Sequence, residues 1–299
     1  MAKFFRREGQ ASGEPMPDPR CRRALVTGGS SGIGKAIAAA LVRRGVSVAI
    51  AARDGARLAR ARAEIAAVAA AGAAVHAVEM DVADGTQAAR GVRDAEDALG
   101  GIDLLVNNAG IPCAKRFDDI TDEEFERVMA VNFFGVVHVT RAALPALRAH
   151  PGGHVAIVSS LAGLIAVYGY TAYAASKFAL TGFAEALRQE LRSAGVGVSV
   201  LYPPDVDTPQ LAEENRTKPA ETRAVAGNAR VMTPEAVAES LLAGIARGRF
   251  RIIPGAEGRA ADVAARLAPG LVRWIVDRQL SRVRKGPPGA GLDLRPPRR

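Results

Sequence analysis

The chain has 299 residues, of which 48% are hydrophobic and 24% charged. This composition is typical of a globular protein and excludes disordered, collagen-like and disulfide-rich classes. No run approaches the roughly 18 consecutive apolar residues of a membrane span. The net charge is +9, yet segment 24–246 carries 21 Lys/Arg against 24 Asp/Glu, so the basic residues lie in the two ends. A nucleic-acid-binding protein would carry this charge on its folded body, and we therefore expect no nucleic-acid partner.

The predicted elements alternate between strands and helices after a polar, proline-containing leader at 1–21. Apolar runs predict strands at 24–27, 46–52, 75–80, 103–107, 154–159 and 196–202. Helical patterns fall at 35–44, 57–71, 123–148 and 173–193, with more helical sequence between the third and fourth strands. Such alternation is typical of an α/β fold in which helices cover both faces of a parallel sheet.

The first strand ends in a glycine-rich turn, Gly28-Gly29-Ser30-Ser31-Gly32-Ile33-Gly34, and a helix follows. Glycines permit a tight turn and let backbone N–H groups approach a pyrophosphate, and the helix N-terminus favours the anion. A glycine-rich turn with no ligand is the alternative, but the strand–turn–helix context favours a dinucleotide site.

The second strand ends at Arg53, and Arg57 follows one helical turn later. An enzyme that uses NAD usually places an acidic residue here for the ribose 2′-hydroxyl. Two guanidinium groups suit a 2′-phosphate instead, so the sequence favours NADPH. Asp54 could contact the ribose, although we expect it to cap the following helix.

Tyr173 and Lys177 are four residues apart on a predicted helix and therefore share a face. An ammonium group beside a phenol lowers the phenol pKa, which makes the tyrosine a usable acid or base. Ser160, at the end of a strand, could hydrogen-bond a substrate carbonyl, and Asn132 lies within an apolar helical run where its amide needs a partner. The four histidines have no metal-ligand spacing with cysteine or carboxylate residues, and we predict no metal site.

In this order, the glycine turn, Asn107-Asn108-Ala109-Gly110, Asn132, Ser160, Tyr173 and Lys177 resemble the short-chain dehydrogenase/reductase family over residues 22–250. The resemblance implies one doubly wound Rossmann domain, which we assign to 22–254. It also implies that Tyr173 is the acid/base, that Lys177 lowers its pKa and holds the ribose, that Ser160 orients the carbonyl and that Asn132 supports a proton relay. The implied cofactor contacts are Gly28, Ser30, Ser31, Gly32, Ile33, Gly34, Arg53, Arg57, Asp81, Val82, Asn108, Tyr173, Lys177 and Thr208.

A narrower resemblance begins at Tyr202-Pro203-Pro204-Asp205 and continues through the run EENRTKPAET, residues 213–222. This pattern is similar to the 3-ketodihydrosphingosine reductase group of the family, which implies reduction of a long-chain lipid ketone by NADPH. Residues 204–232 would then form a lid over the substrate. The alternatives are a reductase of another lipid, acyl or steroid-like ketone, and a basic membrane- or nucleic-acid-binding protein that keeps the fold without the chemistry. The intact set of Asn132, Ser160, Tyr173 and Lys177 argues against the second alternative.

The segment 255–299 is predicted to be a basic amphipathic tail. Val272, Val276, Leu280 and Val283 recur at helical spacing beside Trp274, among five basic residues from Arg273 to Lys285. Such a helix can lie on an anionic membrane surface, or it can pack on the protein or on a second subunit. Two cysteines, Cys21 and Cys113, and no apparent export signal predict reduced thiols in the cytoplasm, with possible peripheral attachment to its membrane. The family resemblance also implies a homo-oligomer.

Overall fold

The computed structural model describes residues 21–226 and 231–284. Its centre is a sheet of seven parallel strands in the order β3-β2-β1-β4-β5-β6-β7. The strands are β1 (Arg23–Thr27), β2 (Ser47–Ala52), β3 (Val75–Glu79), β4 (Leu104–Asn107), β5 (His154–Val158), β6 (Gly197–Leu201) and β7 (Arg251–Ile252). The order reverses between β1 and β4, so the sheet is doubly wound, as expected from the sequence.

Helices cover both faces of this sheet. They are α1 (Gly32–Val42), α2 (Gly55–Ala66), α3 (Gly85–Leu99), α4 (Asp122–Met129), α5 (Gly135–Ala149), α6 (Thr171–Leu191), α7 (Pro209–Thr217), α8 (Ala220–Ala226), α9 (Pro234–Ala246), α10 (Ala256–Leu267) and α11 (Pro269–Arg284). Side chains alternate along each strand, so Leu25 of β1 lies in the core beneath α3, α5 and α6. Its neighbours Ala24 and Val26 lie in the opposite core beneath α1, α2 and α9.

Helix α2 is shorter than the sequence pattern predicts, because it ends at Ala66 and not at residue 71. The alanines after it have high helix propensity, but the backbone N–H of Ala70 donates to the carbonyl of Val42 at 2.9 Å. The chain then turns at Gly72, with a φ of 84°, and enters β3. The tertiary contacts that lead the chain into β3 therefore outweigh the helix propensity of these alanines.

The single helix expected at 123–148 is divided by a π-helical turn, Ala130–Phe134, between α4 and α5. The stretch Asp122–Ala149 is long and apolar enough to cross a membrane. In this fold, however, Val136, Val139 and Leu147 are buried in the core beneath the sheet. Its apolar composition is therefore explained by packing within the domain.

Past the predicted domain limit of 254, α10 remains attached to the body. Its Asp262 accepts a hydrogen bond from Arg251 of β7 at 2.6 Å and pairs with Arg266 at 2.8 Å. The helix break between α10 and α11 falls at Pro269, where the ring suits the first position of a new helix. Residues 1–20 of the predicted leader, the last residues of the tail and part of the predicted lid, 227–230, lie outside the described residues.

Candidate active site

The carboxyl ends of the strands open into one cavity of about 830 Å³, beside the point where the strand order reverses. Ligands of doubly wound sheets bind in this crevice. The predicted site residues that line it are Gly28, Ser30, Ser31, Gly32, Ile33, Arg53, Arg57, Asp81, Val82, Asn108, Ser160, Tyr173, Lys177 and Thr208. Two predicted residues, Gly34 and Asn132, are buried and do not line the cavity.

The glycine turn is tightly packed against the end of β4. Gly28 has a φ of 65°, and a Cβ atom there would lie 2.9 Å from the Cα of Ala109. The Asn108 amide donates to the carbonyl oxygens of Thr27 at 3.0 Å and Gly28 at 3.2 Å. A Cβ atom at Gly34 would collide with the same Asn108 amide. These contacts explain why the turn requires glycine and why Asn108 is structural as well as cavity-lining.

The N-terminus of α1 fits the pyrophosphate of a dinucleotide. Ser31 occupies its N-cap position but makes no side-chain cap. By contrast, Asp54, Asp84 and Thr208 cap α2, α3 and α7 through their side chains. The first N–H groups of α1 face a site where a phosphate could accept their hydrogen bonds.

Two exposed arginines lie at the adenosine end of the cavity. Arg53 pairs with Asp81 at 3.8 Å, and Arg57 pairs with Asp54 at 3.7 Å, both long contacts between exposed or half-exposed groups. Asp54 caps α2, as expected, by accepting a hydrogen bond from the backbone N–H of Arg57 at 2.9 Å. This geometry leaves both guanidinium groups able to contact a phosphate.

Tyr173 and Lys177 lie in the first two turns of α6, and both are buried. The Lys177 ammonium is 5.5 Å from the centre of the Tyr173 ring and donates to the carbonyl oxygen of Val158 at 3.1 Å. Ser160 follows β5, and its Oγ accepts a hydrogen bond from the backbone N–H of Ala162 at 3.1 Å. The three side chains converge on the same cavity.

The sequence led us to expect a lowered pKa at Tyr173, and the described residues produce the opposite. Burial raises the pKa of Tyr173 most, and the negative charge of Glu214 raises it further. Hydrogen bonds with Ser160 and Gln210 lower the pKa of Tyr173 by less. Burial also lowers the pKa of Lys177 to about 8. Desolvation is therefore the largest influence on the pKa of Tyr173, and it favours the protonated phenol.

Asn132 is fully buried in the π-helical turn and holds the segment after β4. Its Oδ1 accepts from the backbone N–H of Ile111 at 2.8 Å, and its Nδ2 donates to the Ile111 carbonyl at 3.1 Å. Nδ2 also lies 3.1 Å from Ser176 Oγ. The π-helical turn thus places this amide against the backbone beside the cavity.

Four further residues line the substrate side of the cavity: Tyr170, Asp205, Gln210 and Glu214. The last three fall within the predicted lid at 204–232, but none of the four was predicted individually. The Tyr170 hydroxyl donates to the carboxylate of Glu214 in α7. The run 213–222 folds as α7 and α8, and Thr222 Oγ1 donates to the carbonyl of Tyr168 at 2.8 Å. The motif at 202–222 was the sequence signal for most of these cavity residues, because its polar residues form the contacts described here. Among residues 21–226 and 231–284, no three His, Cys, Asp or Glu side chains cluster as a metal site.

The short chain dehydrogenase family model matches residues 22–219. The 3-ketodihydrosphingosine reductase of Bos taurus is 40% identical over 236 residues, covering 78% of this chain and 71% of that protein. The 3-dehydrosphinganine reductase of Danio rerio shows the same identity and coverage. A short chain dehydrogenase/reductase from Burkholderia phymatum, solved in complex with NAD, superimposes with a TM-score of 0.72 at 29% identity, covering 85% of this chain and 95% of that one. The chain therefore belongs to the short chain dehydrogenase family.

Proposed function

We propose that this oxidoreductase uses NADPH to reduce the C3 ketone of 3-ketodihydrosphingosine to dihydrosphingosine, in sphingolipid biosynthesis. The observation that carries the reaction type is the convergence of Tyr173, Ser160 and Lys177 on the cavity that begins at the glycine turn. The substrate is supported by the relatives named above, which are reductases of this ketone. The motif at 202–222 supports it further, because its residues form the substrate side of the same cavity.

The residues divide the reaction between them. A nicotinamide cofactor bound by these residues would supply the hydride that reduces the ketone carbon. Tyr173 donates its proton to the developing alkoxide, and Ser160 hydrogen-bonds the same oxygen. Lys177 would hold the cofactor ribose and stabilise the phenolate that remains on Tyr173. Asn132 keeps the segment at Ile111 in place, next to Lys177, where a proton relay would pass.

The preference for NADPH rests on Arg53 and Arg57 at the end of β2. Each has only a long ion pair, and Asp54 is engaged as a helix cap. A 2′-phosphate would meet two guanidinium groups that can form forked hydrogen bonds. The remaining proposed contacts are the N–H groups after Ser30 and Ser31, the turn at Gly32–Gly34, the Asp81-Val82 pair, Asn108 and Thr208.

Oxidation of NADPH, followed by absorbance, tests the proposed substrate. Purified protein is mixed with 3-ketodihydrosphingosine, acetoacetyl-CoA or a steroid ketone. We expect 3-ketodihydrosphingosine to be reduced with the highest kcat/KM. Faster reduction of either other ketone would assign the enzyme to the alternative class of lipid, acyl or steroid-like ketones.

We also propose that α11 attaches the enzyme reversibly to the cytoplasmic face of a membrane. The apolar stripe expected to meet lipid, Val272, Val276, Leu280 and Val283, is half-buried, and α11 contacts α8 and α10. A different set of apolar side chains on α11 is exposed: Leu271, Trp274 and Ile275. The exposed arginines Arg273, Arg278 and Arg282 lie on the same helix. Since α8 and α10 also line the cavity, this surface would place its entrance near a lipid substrate.

Self-association is a further proposal. Phe134 and Phe178 are 49% and 43% exposed on the helices beside the site. Large exposed aromatic residues are typical of protein interfaces. Light scattering after size exclusion would give the mass of the assembly, and a monomeric mass would contradict this proposal.

A further inference from the structure

Two carboxylates on the substrate side of the cavity share one lysine. Lys218 is buried and lies 2.9 Å from Glu214 Oε1 and 3.9 Å from Asp205 Oδ2. The Tyr170 hydroxyl donates to the same Glu214 oxygen. Among the described residues, Lys218 supplies both of the ion pairs that these carboxylates make. The group therefore carries one more negative than positive charge.

The two carboxylates are not equivalent. Glu214 is nearly buried and fixed by Tyr170 and Lys218. The side chain of Asp205 is 41% exposed, and its contact with Lys218 is a full ångström longer. Asp205 follows Pro203-Pro204 in the loop after β6 and lines the cavity with Tyr173. Asp205 is therefore the carboxylate of this group whose negative charge is less well paired, and it lies at the cavity where a substrate would bind.

These charges also act on the catalytic tyrosine. Both Glu214 and Asp205 raise the pKa of Tyr173, so both interact electrostatically with its hydroxyl. A negative field disfavours the phenolate that Tyr173 must become when it gives up its proton. A cation bound between Asp205 and the ketone would cancel that field. The two carboxylates therefore oppose proton donation by Tyr173, and a positively charged substrate would offset their effect.

We propose that Asp205, supported by the Glu214–Lys218–Tyr170 group, binds a protonated amine on the carbon next to the substrate ketone. This inference rests on the proposed function, since 3-ketodihydrosphingosine carries an amine at that carbon. An amine beside a carbonyl resembles an α-amino group, whose pKa is about 7.7–8.0, so it is mostly protonated at pH 7. The amine would supply the missing positive charge and fix the ketone with respect to Tyr173. Asp205 is in this sense a specificity-determining residue.

The test compares two ketones at pH 7: 3-ketodihydrosphingosine, and the same molecule with hydrogen in place of the amine. The second is neutral and smaller, so steric exclusion cannot explain a lower rate. We expect the wild-type kcat/KM to favour the amine by roughly tenfold or more, because a desolvated charge loses its partner in the neutral compound. Asp205→Asn should lower kcat/KM for the amine by a similar factor and raise it for the neutral ketone, because the loss of the Asp205 charge weakens the negative field at Tyr173.

Asp207→Asn is the matched control, because Asp207 is exposed and two residues from Asp205. It should keep the wild-type ratio between the two ketones. The Kd for NADPH reports whether each variant is folded. Equal wild-type rates for both ketones, or a wild-type ratio in an Asp205→Asn protein that binds NADPH, would overturn the inference while leaving the proposed function intact. Wild-type protein that reduces neither ketone would overturn both.

Discussion

Tyr173 is the proton donor of the proposed reaction, and removal of its hydroxyl tests this role directly. Tyr173→Phe keeps the buried ring and its packing on Tyr170, whose ring centre is 5.7 Å away. We expect kcat to fall by roughly 10²- to 10⁴-fold, with the Kd for NADPH nearly unchanged. Tyr202→Phe is the control, because it also loses one buried hydroxyl, bonded to Thr181 at 3.3 Å, outside the cavity. Near-normal turnover of Tyr173→Phe would remove Tyr173 from the proposed role.

Arg53 tests the identity of the cofactor. Only NADPH offers a 2′-phosphate, and a hydrogen bond to a charged group contributes about 1.5–3 kcal/mol. Arg53→Ala should therefore weaken NADPH binding by roughly ten- to a hundredfold and NADH binding much less, as measured by cofactor fluorescence. Arg60→Ala removes an exposed arginine that lies on α2 and does not line the cavity, and it should leave both Kd values unchanged. Equal losses for both cofactors would show that Arg53 serves the fold or the shared pyrophosphate.

For individual residues, the sequence predicted where the site side chains lie better than it predicted what surrounds them. The spacing of Tyr173 and Lys177 was enough to place both on one face of α6, because helix geometry is local. The direction of the Tyr173 pKa shift was not predictable, since it depends on burial and on Glu214, 41 positions along the chain. Likewise, no local pattern indicates that the Asn132 amide bonds to Ile111.

Among the elements, β5 and β6 hold a buried histidine that links stability to pH. His154 Nε2 lies 2.9 Å from Ser199 Oγ, and that hydroxyl donates to the Arg249 carbonyl at 2.7 Å. The network therefore assigns the proton to Nε2. The other ring nitrogen, Nδ1, is buried without a hydrogen-bond partner among the described residues. Protonation would create a second buried donor with no acceptor, and burial lowers the pKa of His154 to about 4.

The free energy of unfolding should respond to pH through this residue. The folded pKa of His154, about 4, lies below the unfolded value of 6.5, so the unfolded chain binds a proton first as the pH falls. This contribution is complete above pH 6.5 and is lost progressively towards pH 4, up to about 3 kcal/mol. His154→Gln, which keeps an N–H donor for Ser199, should flatten the decline between pH 6.5 and 4 in urea titrations. A decline identical to that of the wild type would contradict the assignment.

Some element boundaries differ from the predicted ones because tertiary packing outweighs local propensity there. The buried strands from β1 to β6 were predictable because strands of a sheet covered on both faces are continuous apolar runs in the sequence. The two-residue strand β7 was missed, because Arg251 and Ile252 carry no pattern and pair with β6 only through the tertiary fold. The π-helical turn at Ala130–Phe134 was missed because its residues have ordinary helical periodicity.

For the whole molecule, the open question is what covers the exposed side of α11. The sequence predicted an amphipathic tail helix, but the half-buried stripe at Val272 and Val276 and the contact with α8 show that this stripe faces the protein. Leu271, Trp274 and Ile275 remain on the other side, 56%, 54% and 42% exposed. Arg278 lies over the Trp274 ring at 5.2 Å, which places positive charge beside the largest exposed apolar group. Arginine next to exposed tryptophan is typical of a helix at an anionic lipid interface.

Vesicle sedimentation tests this attachment without deletion of α10, whose Asp262 is bonded to the body of the protein. Wild-type protein should sediment with vesicles that contain anionic phospholipid at low salt and be released at high salt, because screening weakens the attraction. Each basic residue near anionic lipid contributes about 1 kcal/mol. The double variant Arg273→Glu/Arg278→Glu should therefore lower the partition coefficient between vesicles and solution by at least roughly thirtyfold. The control is the double variant Arg90→Glu/Arg93→Glu, on the exposed side of α3. It changes the net charge equally and should bind the vesicles more tightly than the α11 variant. If both pairs lose binding equally, net charge and not α11 holds the protein to the vesicles; if the wild-type protein stays in the supernatant at low salt, α11 has no membrane role.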